Sequence, residues 1–163
     1  MLALGVDQKP TPAIKPPTTN SSLSPDGRWL AYMSAQPGIR PEVYVQPIPP
    51  TGEKHQITTN GGINPLWSPD GKELFFLTPG PFGQLMAVDI ETQHGFRFGK
   101  TTALPIEGLV NTGPRHYDIT PDGKRFVVLV QKAQTTSDKA PGEQINVTLN
   151  WFEELKQRVP SGR

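Results

Sequence analysis

One four-residue phrase occurs three times in this chain and constrains it more than anything else. Ser24-Pro25-Asp26-Gly27 returns as Ser68-Pro69-Asp70-Gly71 and as Thr120-Pro121-Asp122-Gly123. Each copy is followed by a basic residue and an apolar, β-rich run: Arg28-Trp29-Leu30-Ala31-Tyr32-Met33, Lys72-Glu73-Leu74-Phe75-Phe76-Leu77 and Lys124-Arg125-Phe126-Val127-Val128-Leu129. Proline presets φ for the first corner of a turn, aspartate hydrogen-bonds the backbone just ahead, and glycine takes the positive φ that closes it. Each phrase is therefore a hairpin joining two antiparallel strands. Asp26, Asp70 and Asp122 read as turn residues rather than as a metal-binding or catalytic row.

A strand-built unit repeating at roughly 40–50 residues is the mark of propeller blades. The fold class expected is all-β, a partial β-propeller of antiparallel four-stranded blades, about two and a half to three of them. Residues 1–19 read either as the end of a blade or as an N-terminal arm, since four prolines fall in the first seventeen residues. A first blade spans 20–60, with strands at 20–24, 28–34, 42–48 and 54–58. A second spans 61–112, with strands at 64–68, 72–78, 84–90 and 101–106. A final blade spans 113–150, with strands at 115–120, 124–132 and 144–150. Residues 151–163 form a short helix and tail: Trp151, Leu155 and Val159 recur every four residues, and Glu154 stands four before Arg158. Its apolar stripe either packs on the last blade or binds a partner.

Composition removes several function classes. Sixteen Lys and Arg against fifteen Asp and Glu leave a net charge of +1, with no basic run and no interleaved aromatics, so nucleic acid is not an expected partner. The absence of cysteine excludes disulfides, thiolate metal sites and a cysteine nucleophile. No apolar run approaches a membrane span, and residues 1–6 lack the basic start and apolar length of a signal peptide. The chain as written reads as cytoplasmic, and as periplasmic if an export signal lies upstream.

The phrases, with Pro41-Glu42-Val43-Tyr44-Val45-Gln46, Thr59-Asn60-Gly61-Gly62 and Trp67 just before the second phrase, resemble the WD40-like, TolB-type propeller repeats of bacteria. Repeats of this type also occur as sensor-like regions behind bacterial serine/threonine kinases, and residues 146–155 resemble the end of such proteins. The resemblance covers nearly the whole chain and implies the fold far more sharply than the activity, because one propeller hosts many functions. Closed propellers have typically four to eight blades. A shorter arc implies exposed blade faces and strand edges, and hence self-association.

No nucleophile elbow, Walker loop, kinase catalytic loop or His-Glu-x-x-His occurs in the sequence. The candidate site comes from the repeat itself. Counting back four residues from each phrase lands on Asn20, Asn64 and His116, which open the innermost strand of each blade near the channel mouth. Asp118 follows His116 on the same face of its strand, and Arg115 and Tyr117 flank them. Two readings stand. In one, these residues line a recognition site, with Asn20, Asn64, Arg115 and Tyr117 contacting a protein or small ligand. In the other, Asn20, Asn64 and Asp118 supply hard oxygen ligands to Ca²⁺, and His116 with Asp118 serves catalysis in a hydrolase of lactones or esters. The second resembles the propeller lactonases in blade position, not in motif. His55 and His94 read as surface residues. Trp29, Tyr32, Phe75, Phe76 and Phe126, with Tyr44 and Trp67, read as core between blades.

Overall fold

A computed structural model describes residues 14, 18–35, 38–106, 109–110, 113, 115–131 and 143–148. The expected C-terminal helix and nearly all of the N-terminal segment lie outside them. The described residues form thirteen strands and no helix. They make an all-β, antiparallel arrangement of sheets side by side, as the repeat requires.

The first sheet pairs β1 (Thr18–Leu23), β2 (Trp29–Ser34), β3 (Glu42–Pro47) and β4 (His55–Gln56) in chain order. The second repeats the plan with β5 (Ile63–Trp67), β6 (Glu73–Leu77), β8 (Leu85–Glu91) and β9 (Arg97–Ala103), while β7 (Phe82–Gly83) leaves it for the third. In the third sheet, β12 (Phe126–Gln131) pairs β13 (Glu143–Thr148) along its length. It also pairs β11 (Tyr117–Ile119) and then β10 (Leu109–Val110), which in turn pairs β7. The fourth strand of the second sheet starts earlier than the expected 101–106. Gly95, at φ 97°, turns the chain sharply, and Phe96 is buried against the first sheet, so pairing resumes at Arg97.

The turn phrases carry the chemistry read from them. Gly27, Gly71 and Gly123 take φ of 73°, 71° and 69°. Ser24 Oγ donates to Asp26 Oδ1 (2.6 Å) and accepts from the Trp29 amide (2.9 Å), and Asp26 Oδ1 also accepts from the Arg28 amide (3.0 Å). Ser68 and Asp70 repeat the pattern, as do Thr120 and Asp122. These bonds, led by that from Ser24, hold the Asp26 carboxyl at about 2. The turns also stack: a Cβ on Gly71 would sit 3.6 Å from Pro25, and one on Gly123 would sit 3.8 Å from Pro69.

The core lies between sheets. Leu74-Phe75-Phe76-Leu77 is apolar without alternation because β6 is covered on both faces. Leu74 and Phe76 join Ala31, Val43, Val45 and Trp67 against the first sheet. Phe75 and Leu77 join Leu85, Leu109, Phe126 and Val128 against the third. Phe75, Phe76, Phe126 and Trp67 are thus core between sheets, and Trp29 packs partly buried at its rim. Tyr32 and Tyr44 differ. They pair across β2 and β3 on the opposite face from Ala31 and Val45, stacked at 6.0 Å, with Lys54 Nζ 3.6 Å above the Tyr44 ring.

Glu73 is a carboxyl of the middle sheet with its pKa raised. It stands directly across from Asp89 in the β6–β8 ladder. Burial first, then the neighbouring Asp89 and Asp70, raise its carboxyl to about 7. The folded chain therefore holds a proton that the unfolded chain releases near pH 4.5, so this group's contribution is complete below that value and is lost as pH rises through about 7. Glu73→Gln is expected to raise stability at pH 8 by about 1 kcal/mol, a figure reduced for solvent screening, and to flatten the decline between pH 5 and 7. Urea unfolding across that range measures both.

Candidate functional site

The asparagines picked out by the repeat sit in the same unusual backbone state. Asn20 has φ 48° and Asn64 φ 54°, and each lies in a register shift, between Thr19 and Ser22 in one sheet and between Ile63 and Leu66 in the next. Asparagine tolerates this left-handed region better than most residues, which accounts for its place in an otherwise regular strand. The two bulges bring the side chains together: Asn20 Nδ2 donates to Asn64 Oδ1 at 2.6 Å, linking the first two sheets. Asn64 is buried and Asn20 exposed.

Tyr117 extends the link to the third sheet. Its hydroxyl donates to the Asn64 carbonyl at 2.5 Å, and burial raises its pKa far above the ordinary phenol value. Arg115 reaches the same segment, Nε donating to the Tyr117 carbonyl (3.2 Å) and Nη1 to the Pro65 carbonyl (3.4 Å). Asn20, Asn64, Arg115 and Tyr117 thus form one hydrogen-bonded set across three innermost strands. His116 and Asp118, by strand alternation, point the other way from Tyr117. Asp118 is exposed, its Oδ1 accepting from the Ile119 amide (2.9 Å), while His116 Nδ1 is buried without a partner.

The Ca²⁺ reading places an ion between Asn20, Asn64 and Asp118. The Asn64 Oδ1 that would ligate the ion accepts from Asn20 instead, and Asp118 shares no hydrogen bond with either amide. Among the described residues no group of three or more His, Cys, Asp or Glu could hold a metal. The His116–Asp118 pair likewise has no hydrogen bond joining it.

Two features were not legible from spacing. His55 is an aromatic contact rather than a solvated residue: its ring stacks on Phe96 at 4.4 Å and lies 6.1 Å from Trp29, with Glu53 at 2.7 Å from Nε2. The aromatic partners, Trp29 and Phe96, are 26 and 41 positions away in the chain, with no local signal to announce them. The second is a cavity between the first two turn phrases, walled by Trp29 and Trp67. Doubled tryptophans beside repeated aspartates were its only trace in the sequence.

The fold and the interlocked inner strands define a β-propeller segment, and its fold is similar to that of TolB. The Tol-Pal system protein TolB of Alcanivorax borkumensis is 40% identical over 60 residues, 36% of this chain and 14% of that protein. TolB of Acinetobacter baumannii superposes with a TM-score of 0.57 at 20% identity, over 80% of this chain and 29% of that one. The β-propeller domain of the Trilobed protease from Pyrococcus furiosus, described as having an open velcro topology, gives 0.50 at 16% identity, over 80% and 40% respectively. The chain therefore spans well under half the length of each of these proteins. No family model matches the chain.

Proposed function

We propose that this chain is a non-catalytic propeller module that recognises a protein or a small ligand. The observation that carries the reading is the use made of its inner-strand polar residues. Asn20, Asn64, Tyr117 and Arg115 bond one another and the backbone across three sheets, as a scaffold does, and among the described residues no hydrogen-bonded nucleophile–base pair stands beside them. The naming of a relative for the Tol-Pal system favours a protein partner. Purified protein is expected to leave a panel of small lactones and esters unhydrolysed, with Ca²⁺ or with EDTA. Turnover restored by Ca²⁺ and abolished by Asn64→Ala and Asp118→Ala would overturn the module in favour of a hydrolase.

Self-association belongs to the same reading. β9 is the outer edge of the second sheet, all seven of its residues are exposed, and Phe98 within it is 44% exposed. An edge of that length offers unpaired N–H and C=O groups to a second copy. Light scattering behind size exclusion is expected to give a mass above one chain that falls on dilution; a monomer at every concentration ends this part.

A further inference from the structure

A cavity of about 100 Å³ opens between the first and second turn phrases, walled by Asp26, Trp29, Trp67, Asp70, Gly71 and Thr92. Trp67 is 4% exposed, and its Nε1–H is buried with no hydrogen-bond partner. Buried indole N–H groups ordinarily find an acceptor, so this one is a donor awaiting a partner. The two carboxylates are not equivalent. Asp26 is occupied on both oxygens, Oδ1 by Ser24 and the Arg28 amide and Oδ2 by Arg28 Nε at 2.7 Å. The bonds to Asp70, from Ser68 Oγ and the Lys72 amide, both land on Oδ1, which leaves Oδ2 for a further donor.

Indole faces attract cations, and a carboxylate adds a charge-assisted hydrogen bond. An acceptor for Trp67 together with a cation for Asp70 is what one basic residue within a polypeptide supplies, through its main-chain carbonyl and its side chain. The repeat itself does not generate this combination. The corresponding cavity between the second and third phrases, lined by Ser68, Pro69, Asp70, Pro121, Asp122 and Gly123, contains no indole. Glu73 and Ile119 occupy the repeat positions of Trp29 and Trp67.

We propose that the Trp29–Trp67–Asp70 cavity is the docking point for a lysine or arginine side chain of a polypeptide partner, whose carbonyl accepts from Trp67 Nε1–H. This rests on the recognition reading and gives it a partner chemistry. The test is titration of ¹⁵N-labelled protein with Nα-acetyl-lysine N-methylamide, followed at the indole N–H resonances. A saturable shift of the Trp67 signal is expected. The uncharged norleucine analogue, and butylammonium lacking the carbonyls, should each bind at least about fivefold more weakly. Asp70→Asn keeps the Oδ1 acceptor for Ser68 and Lys72 and should weaken the lysine derivative to a similar degree. No saturable shift up to about 50 mM, equal binding of the norleucine analogue, or an unchanged Asp70→Asn would each overturn the proposal. Because the ligand comparison uses the unaltered protein, it stands even if a variant fails to fold. A flat titration without lactone turnover removes this docking point and leaves the module; turnover removes the module whatever the titration shows.

Discussion

Phe75→Ala is expected to lower stability by about 3–5 kcal/mol, the largest effect of any single substitution considered. Phe75 is fully buried on the face of β6 that meets the third sheet, and it packs edge-on against Phe126, also fully buried, with ring centroids 4.9 Å apart. Truncation removes the transfer free energy of the ring and leaves a void between two sheets whose strands are already paired, so the site has little room to collapse. A loss of that size is a large share of the stability of an ordinary domain. Urea unfolding followed by circular dichroism measures it. Val127→Ala, one residue from Phe126 but 37% exposed, should stay within about 0.5 kcal/mol. In a double-mutant cycle with Phe126→Ala, the aromatic pair should show a coupling of about 0.5–1.5 kcal/mol beyond additivity. Equal effects at positions 75 and 127 would mean the second and third sheets do not share this core.

The architecture was legible because it is written in local chemistry. Proline, aspartate and glycine fix a turn from three adjacent residues, and a strand that alternates or runs apolar reports which of its faces are covered. Even the doubly buried β6 announces itself in Leu74-Phe75-Phe76-Leu77. The candidate site was legible only in its positions. Aligning the repeats found Asn20 and Asn64, but not that both adopt left-handed backbone, nor that their amides bond each other. A contact between residues 44 positions apart depends on how one sheet is rotated over the next, and no pattern within either strand encodes that. The same limit explains His55, which joins Phe96 and Trp29 only once the rims of two sheets meet. Reading Asn20, Asn64 and Asp118 as shared ligands placed the right residues on inner strands. It could not foresee that one amide would satisfy the other and that Asp118 would cap its neighbour's N–H.

Asn64 separates a scaffold role from a ligand-binding one by stability alone. Its φ of 54° lies where a Cβ costs roughly 1–2 kcal/mol, which asparagine partly offsets and glycine avoids. Its Oδ1 also accepts the Asn20 amide, a bond contributing about 0.5–1.5 kcal/mol net. Asn64→Ala loses the bond and keeps a Cβ in left-handed backbone, and should cost about 2–3 kcal/mol. Asn64→Gly loses the bond but relaxes the backbone, and should cost about 1–2 kcal/mol despite the added freedom of the unfolded chain. Thermal or urea unfolding is therefore expected to rank asparagine above glycine and glycine above alanine. Tyr117→Phe leaves the buried Asn64 carbonyl without its donor and should cost about 1–2 kcal/mol, coupled to the change at position 64 because both act on one bulge. If alanine and glycine at 64 are both neutral, the three inner strands are held by the core between sheets and not by this network. The polar residues of the inner strands would then be free to serve a ligand, and the hydrolase reading would stand level with the scaffold reading.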